Sequence, residues 1–314
     1  MRQPGFDPGL TEKFAGRVRR IVNQDGTFNV RRDGTTLRDF HPYLVLINMS
    51  WPGFLATLFF GFIVINSLFA AAYFFMPTEE LHGIEASDGM GKFLADFFFS
   101  SHTLTTVGYG NIAPAGLAAN VLASFESLLG VLGFAVATGL LFGRVSRPSA
   151  RIGFSTNILV SPYQDITSLQ FRVVNRRKNS IVELEAQLLL MQVKTENGEP
   201  RRTYEALRLE RDRVLFLPLT WTVVHPIDSA SPLWGKSAED FEQLQAEVLI
   251  LLKGHDDTFN QTVFARRSYR HDEVIWGARF APAFFVNPEG NLVLELRKVG
   301  ELMEHERVVR PTGP

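Results

Sequence analysis

The sequence predicts a membrane-embedded α-helical domain with two spans, followed by an all-β sandwich. No charged residue occurs from Leu44 to Met76, and the run from Leu117 to Phe142 carries one charge only, at Glu126. Each run is longer than the roughly 20 apolar residues that cross a bilayer. In the second half of the chain, short apolar-polar alternations separated by turn signals are typical of a β-sandwich.

The amino-acid composition excludes several classes of function and of site. The 314 residues are enough for two domains, and a net charge of -1 with 46% hydrophobic residues argues against nucleic-acid binding and against disorder. The chain has no cysteine, which excludes disulfides, thiolate metal sites and a cysteine nucleophile. The 27 phenylalanines concentrate between Phe54 and Phe142, as expected for contact with lipid.

The N-terminal residues 1–35 are polar and rich in arginine, and we interpret them as a cytoplasmic arm with turns at Asp25-Gly26 and Asp33-Gly34 and a short strand at residues 27–30. A solvated, mobile terminus is the alternative for the first dozen residues. Apolar residues at helical spacing then predict an interfacial helix over residues 36–47, which includes Pro42.

The first span predicts an outer helix over residues 50–76, which begins too far into the chain for a cleavable signal peptide. Acidic residues among positions 77–91 predict an external turret. Residues 92–105 are apolar but too short to cross, so they predict a pore helix that dips into the membrane. Its carboxyl end directs partial negative charge toward a cation at the pore centre.

Residues 106–110, Thr-Val-Gly-Tyr-Gly, match the string that lines the filter of potassium channels. A potassium ion that sheds water needs rings of oxygen, which we expect from the carbonyls of Thr106, Val107, Gly108 and Tyr109. The Thr106 hydroxyl would close the inner end, with Val107 and Tyr109 packed outward. Gly108 and Gly110 permit the backbone angles that turn successive carbonyls the same way.

Alone, so short a match also fits a β-strand that ends in a turn. Its position after a short helix and between two spans favours the filter, because such a segment must be held in protein and away from lipid. One chain supplies only one wall of a filter. Four chains are therefore expected around one axis.

The second span predicts an inner helix over residues 117–145, which completes a pore domain at residues 36–147. Basic residues lie before the first span and after the second, with acids between them, so both termini are expected in the cytoplasm. We expect an integral membrane protein, of the bacterial inner membrane, with a cytoplasmic β-domain at residues 148–314. Its strands are predicted around residues 169–173, 181–193, 213–224, 246–253, 262–268 and 291–297.

Nearly the whole chain resembles the prokaryotic inward-rectifier potassium channels of the KirBac type. The resemblance rests on an interfacial helix before a two-span pore, the filter, and four further strings. These are Arg144-Val145-Ser146-Arg147-Pro148, Asn175-Arg176-Arg177-Lys178, Val224-His225-Pro226-Ile227-Asp228 and Glu273-Val274-Ile275-Trp276-Gly277. The resemblance implies a homotetramer whose pore continues into a vestibule of immunoglobulin-like β-sandwiches, with K+ in the filter and no cofactor.

The inner helix carries Gly130, Phe134, Thr138 and Phe142 at four-residue intervals, a spacing that suits one face toward the axis. The resemblance implies that Phe142 forms the constriction, where apolar rings block ions by dewetting. Ordinary packing against a neighbouring helix is the alternative. Strongly rectifying relatives carry an acid at the position of Phe134, so block by Mg2+ or polyamines, and hence rectification, is expected to be weak.

Two polar residues are expected near the filter. Glu126 is the acid inside the inner span and should face protein or cavity water, because burying it unpaired is costly. It either braces the back of the filter, near Thr105 or His102, or adds negative potential to the cavity. His102 stands where many eukaryotic relatives carry an acid, and a packed histidine or a proton sensor are the two interpretations.

Basic residues cluster where the chain leaves the membrane. Arg144, Arg147 and Arg151, with the loop residues Arg177 and Lys178, predict binding of anionic phospholipid or phosphoinositide head groups. Their alternative role is to set topology alone.

Acidic residues are expected around the cytoplasmic vestibule. The resemblance places Glu183 and Asp257 there, although both also suit an ordinary surface. The run His255-Asp256-Asp257 is not expected to hold a metal ion, since three consecutive side chains converge poorly on one point.

These observations predict passive, potassium-selective conduction, gated at the inner-helix crossing and modulated by anionic lipid. The alternative is a lipid or ligand sensor whose pore rarely conducts. An enzyme is not expected, because no phosphate loop, nucleophile elbow or zinc spacing occurs. The chain also has no arginine-rich voltage-sensor helix.

Overall fold

The structure is a computed structural model that describes residues 9–12, 20–31, 33–34, 36, 40–84, 89–146, 151–196 and 198–303. It divides into two compact units. The helical unit is Asp33–Arg147, and the β unit combines Met1–Arg32 with Pro148–Pro314. This division confirms the predicted fold class of a two-span helical domain with an all-β domain.

The described residues of the helical unit form four α-helices: α1 (Pro42–Asn48), α2 (Trp51–Phe74), α3 (Gly89–Leu104) and α4 (Leu117–Val145). α2 and α4 are long and apolar enough to cross a membrane. Both correspond to the predicted spans, and the bounds of α4 coincide with the prediction. α3 begins three residues before the predicted pore helix.

The predicted interfacial helix is shorter than expected, because α1 begins at Pro42 and not at residue 36. Proline lacks an amide hydrogen and therefore fits the first turn of a helix, whose amides have no partner. Proline also forces the preceding residue out of the helical region, and His41 is extended, with φ of -110°. Residues 37–39 of the prediction lie outside the described residues.

The start of α4 is anchored by the short turn Thr78–Glu80. The amides of Ala115 and Gly116 donate to the Glu80 carbonyl oxygen at 2.8 and 3.3 Å. The amide of Ala119 donates to the Glu80 carboxylate at 2.9 Å, which satisfies an unpaired donor of the first helical turn. Strands β1 (Leu81–His82) and β2 (Ala113–Pro114) pair beside this anchor.

The β unit packs two five-stranded sheets over one core, as predicted. Its elements are β3 (Ile152–Phe154), β4 (Ile158–Tyr163), β5 (Ile166–Asn175), β6 (Ile181–Glu196), β7 (Glu199–Leu207), β8 (Arg213–Phe216), β9 (Thr220–Ile227), α5 (Ala238–Gln243), β10 (Glu247–Asp256), β11 (Gln261–Arg270), β12 (Val274–Trp276), β13 (Arg279–Phe280), β14 (Phe284–Val286), β15 (Leu292–Leu294) and β16 (Leu302–Met303). One sheet has the order β11-β10-β6-β7 with β8 on β6, and the other β12-β4-β5-β3 with β9 on β5. Side chains such as Leu169, Phe171, Leu184 and Leu252 are fully buried between the sheets.

Two of the predicted strands have bounds that differ from those of the observed strands. The run at residues 213–224 divides into β8 and β9, because Pro218 lies between them and cannot donate to a sheet. The run at residues 291–297 ends as a strand at Leu294 and continues as the 3-10 helix Leu296–Gly300.

The N-terminal arm contributes to the β unit. The predicted strand at residues 27–30 is reduced to one bridge between Val22 and Phe28, beside the predicted turn at Asp25-Gly26. The Ile21 amide donates to the Glu247 carboxylate at 3.1 Å, and Arg20 pairs with Glu273. Burial raises the pKa of Glu247. Within the first dozen residues, the described positions 9–12 include carbonyls that accept hydrogen bonds from β7.

Candidate functional site

The candidate filter has the alternating backbone that the sequence predicts. φ is positive at every second residue: 60° at Thr106, 57° at Gly108 and 80° at Gly110. The amides of Val107 and Gly108 both donate to the His102 carbonyl oxygen, at 2.8 and 3.2 Å. Among the described residues, the carbonyl oxygens of residues 106–109 accept no hydrogen bond. A row of oxygens is therefore left free to bind a cation.

Thr106 is an outlier in this segment, since a β-branched residue rarely adopts a positive φ. Such strain costs on the order of 1–3 kcal/mol and concentrates at functional sites. The helix α3 ends two residues earlier, at Leu104. The positive φ of Thr106 thus places a left-handed residue directly after the helix end, at the start of the candidate filter.

His102 packs against the filter. Its ring lies perpendicular to that of Tyr109, with centroids 4.8 Å apart. Tyr109 therefore points back toward α3, in agreement with the predicted outward packing. The hydroxyl of Thr105 donates to the Ser101 carbonyl oxygen at 2.6 Å, which continues the helical turn.

Glu126 joins all three long helices of the helical unit. Its carboxylate accepts a hydrogen bond from the Tyr73 hydroxyl of α2 at 2.8 Å and one from the Ser100 hydroxyl of α3. The Ser100 oxygen also lies 3.0 Å from the side-chain oxygen of Asn66. All four side chains are fully buried. Glu126 therefore braces the pore helix through Tyr73 and Ser100, and not through the predicted neighbours Thr105 and His102. The alternative role, negative potential added to the cavity, stays a prediction.

A second buried acid was missed by the sequence analysis. Asp96 of α3 is fully buried, and its carboxylate lies 3.6 Å from the Lys92 ammonium. Lys92 donates to the Phe74 carbonyl oxygen at 2.6 Å and so caps the end of α2. The sequence did contain a signal for this buried acid. Polar residues recur at four-residue spacing on one face of a helix that is otherwise apolar, at Lys92, Asp96 and Ser100.

The residues of the predicted pore-facing row of α4 do not all share one environment in the single chain. Phe134 and Phe142 are 77% and 72% exposed in the single chain, and Thr138 is also exposed. Gly130 is different, because a Cβ there would overlap the carbonyl oxygen of Leu104. Residues four apart drift by about 40° around a helix of 3.6 residues per turn. Gly130 thus faces the pore helix and not the side that carries Phe142.

Arg144, which was predicted to bind lipid, contacts the main chain of the helical unit. Its guanidinium donates to the carbonyl oxygens of Leu46, Ile47 and Met49, with distances of 2.9 Å to Ile47 and 2.6 Å to Met49. Both terminal nitrogens of the guanidinium therefore donate within the chain, while its buried Nε has no hydrogen-bond partner among the described residues. Arg147 lies outside the described residues.

The other basic residues form a patch at one end of the β unit. The Arg176 amide donates to the Arg151 carbonyl oxygen at 3.0 Å, so β3 begins beside the loop that carries Arg177 and Lys178. Arg151, Arg176 and Lys178 are exposed. The structure therefore brings Arg151 to the loop, as the lipid prediction requires, and adds Arg176.

The two acids that were predicted to line the cytoplasmic vestibule lie at the same end of one β-sheet. Glu183 and Asp257 are both exposed, near the end of the sheet where β6 begins and β10 ends. Glu183 has a φ of 49° within an irregularity opposite Gly254. Asp256 is buried and accepts from Asn179 at 2.7 Å, while His255 lies 3.1 Å from Asn260. The described residues contain no group of three acidic or histidine side chains placed to hold a metal ion.

Comparisons with known proteins cover both units. The model of the inward rectifier potassium channel C-terminal domain matches residues 152–310, and an ion channel model matches residues 52–147. The inward rectifier potassium channel Kirbac3.1 of Paramagnetospirillum magnetotacticum is 37% identical, over 93% of this chain and 98% of its own. The G protein-activated inward rectifier potassium channel 3 of Homo sapiens is 31% identical, over 88% of this chain and 76% of its own. The inward rectifier potassium channel 18 of Homo sapiens is 28% identical, over 90% and 70%.

Proposed function

The chain belongs to the inward rectifier potassium channel family, and we propose that four copies form a pore that passes K+ selectively and passively through the filter at residues 106–110. The observation that carries this proposal is the alternation of positive φ at Thr106, Gly108 and Gly110. With its amides tied to His102, this backbone leaves carbonyl oxygens to replace the water of a K+ ion. No cofactor is needed, since the oxygens belong to the main chain.

Uptake of 86Rb+ into liposomes that contain the purified protein tests the proposal. We expect uptake that barium blocks and that an excess of external K+, but not of Na+, competes away. Gel filtration with mass measurement should give a tetramer. A monomer, or Na+ that competes as well as K+, would contradict the proposal.

Two unpartnered apolar faces support the tetramer. On α3, Met90, Leu94 and Phe98 are exposed at four-residue spacing. On α4, Leu117, Val121 and Phe125 are exposed at the same spacing and line a groove of about 660 Å³. Two different faces on one chain suit a head-to-tail interface, which closes into a ring when the rotation permits.

The charge pattern supports the orientation. Arginines precede α2 and follow α4, while the segment between α2 and α3 is acidic. This pattern supports cytoplasmic termini, since basic residues favour the cytoplasmic side of a membrane. In that orientation Glu183 and Asp257 add negative potential along the cytoplasmic path of the ion.

The gate is assigned to Phe142. Its ring is 72% exposed on a face of α4 that makes few contacts within the chain. Four such rings near one axis would form an apolar constriction that ions cross only when it is wet. Phe134 provides no charge in the cavity, so Mg2+ and polyamines should block weakly and rectification should be weak.

Phe142→Ala is expected to raise Rb+ uptake several-fold, because removing four rings widens and hydrates the constriction. Phe60→Ala is a control that removes an exposed ring from α2. Uptake by Phe142→Ala equal to wild type, with tetramers intact, would remove Phe142 from the gate.

The basic patch of Arg151, Arg176, Arg177 and Lys178 is assigned to anionic lipid, including phosphoinositide. Each basic residue near such a surface contributes about 1 kcal/mol. We expect Lys178→Gln to reduce the dependence of Rb+ uptake on anionic lipid while leaving uptake in neutral liposomes unchanged. An unaltered dose response to anionic lipid would contradict the assignment.

A further inference from the structure

We propose that Arg144 is a positioning residue that locks the end of the interfacial helix α1 to the inner helix α4, on the side of α4 opposite Phe142. This inference rests on the proposed gate at Phe142 for its functional consequence, but the lock itself rests on contacts within the helical unit. It assigns Arg144 a role inside the chain in place of the lipid site that its charge suggested.

Arg144 donates hydrogen bonds to main-chain carbonyl oxygens at the carboxyl end of α1. The last carbonyls of a helix have no partner within it. One guanidinium nitrogen of Arg144 donates to both Leu46 and Ile47, and the other donates to Met49, the residue that ends α1. Hydrogen bonds from a charged donor are stronger than neutral ones, and the carboxyl end of a helix favours a cation.

Two aromatic rings at the start of α2 enclose the same group. The guanidinium carbon lies 4.9 Å from the Trp51 ring centre and 4.5 Å from that of Phe54. Cation–π contacts of this kind contribute more when the cation is desolvated. Arg144 therefore holds the joint between α1 and α2 as well as the end of α1.

Gly143 allows α1 to approach. A Cβ at this position would lie 3.2 Å from the Tyr43 hydroxyl and 3.3 Å from a terminal carbon of Ile47. The adjacent residues Gly143 and Arg144 thus form one docking surface, with a close contact supplied by glycine and polar bonds supplied by arginine.

The position of this surface gives the direction of its effect. Residues two apart on a helix point roughly 160° away from each other. Arg144 holds α4 from one side while Phe142 projects from the other. Without the lock, the four inner-helix ends are free to move together, and burial of their exposed phenylalanine rings favours that movement.

Arginine suits this task better than lysine. Its planar group offers five donors in a fixed fork and stacks on aromatic rings, whereas lysine is a flexible point charge. Arg144→Lys should therefore keep the charge and the fold but loosen the lock. Arg144→Gln removes the charge and most of the donors.

Hydrogen–deuterium exchange of the full-length tetramer in liposomes tests the lock directly. In Arg144→Gln we expect the amides of residues 43–54 to exchange roughly tenfold faster than in wild type, with an intermediate rate in Arg144→Lys. Arg211→Gln, which removes an exposed charge from the β unit, should leave these rates unchanged. Wild-type exchange in Arg144→Gln would overturn the lock whatever Phe142 does.

Rb+ uptake in liposomes of neutral lipid, and of neutral lipid with phosphatidylglycerol, tests the consequence. We expect Arg144→Gln to reduce uptake several-fold in both, and Phe142→Ala combined with Arg144→Gln to restore it. A loss confined to anionic liposomes would make Arg144 a lipid ligand and overturn the proposal. Faster exchange with normal uptake would overturn its effect on the gate. Failure of Phe142→Ala alone to raise uptake would refute the proposed gate, and exchange would still decide the lock.

Discussion

Gly108→Ala is expected to abolish potassium-selective conduction in tetramers that still assemble. Gly108 has a φ of 57°, a conformation that costs an L-residue with a Cβ roughly 1–2 kcal/mol. Apart from its neighbours in sequence, no described residue lies within 4 Å of the position that a Cβ would occupy, so the cost arises from the backbone and not from a clash. Relief of this strain turns a carbonyl away from the axis in all four copies.

The measurement is competition of Na+ and K+ for Rb+ uptake, with Gly133→Ala as the matched control. Gly133 also has open space around a Cβ, but it lies within α4 at an ordinary helical φ. Alanine at position 133 should leave selectivity unchanged. A D-alanine introduced at position 108 by semisynthesis should retain selectivity, because D-residues favour a positive φ. Wild-type selectivity in the L-alanine variant would refute the role of this backbone.

Glu126→Ala is expected to destabilise the helical unit and to impair the filter. The change leaves the buried hydroxyl of Tyr73 without its acceptor, whereas the Ser100 hydroxyl keeps the side-chain oxygen of Asn66. A buried polar group without a partner costs about 1–3 kcal/mol. A cavity of the size of the lost side chain adds to this cost.

Thermal dissociation of the detergent-solubilised tetramer, together with Na+ competition for Rb+ uptake, measures both effects. Glu126→Gln is the matched control, since it keeps the volume and one acceptor oxygen. It should lie between wild type and Glu126→Ala in dissociation temperature. Equal dissociation temperatures for wild type and Glu126→Ala would show that the three-helix junction does not stabilise the assembly.

The sequence predicted correctly those features that depend on a local pattern of residues. The bounds of α4 coincide with the prediction, because a long apolar run has ends that charge and proline mark. The alternation at the filter follows from the two glycines, although the positive φ of Thr106 does not, since threonine disfavours it. The start of α1 was misplaced because apolar spacing was given more weight than the helix-starting preference of Pro42.

Local sequence patterns could not predict the contact partners of Glu126 and Arg144. Tyr73, Ser100 and Glu126 come from three helices that are distant along the chain, and each alone suits an ordinary buried or interfacial position. For Arg144, charge at the membrane edge predicted lipid. The carbonyls that it binds instead are main-chain groups, which carry no signature in a sequence.

The contact between Gly130 and Leu104 sets the spacing between the inner helix and the candidate filter. Glycine lets the backbone of α4 approach the backbone at the end of the pore helix. Any side chain at position 130 would overlap the Leu104 carbonyl oxygen and push α4 away from the helix end that leads into residues 106–110. The distance between α4 and the start of the candidate filter therefore depends on the absence of a side chain at one position.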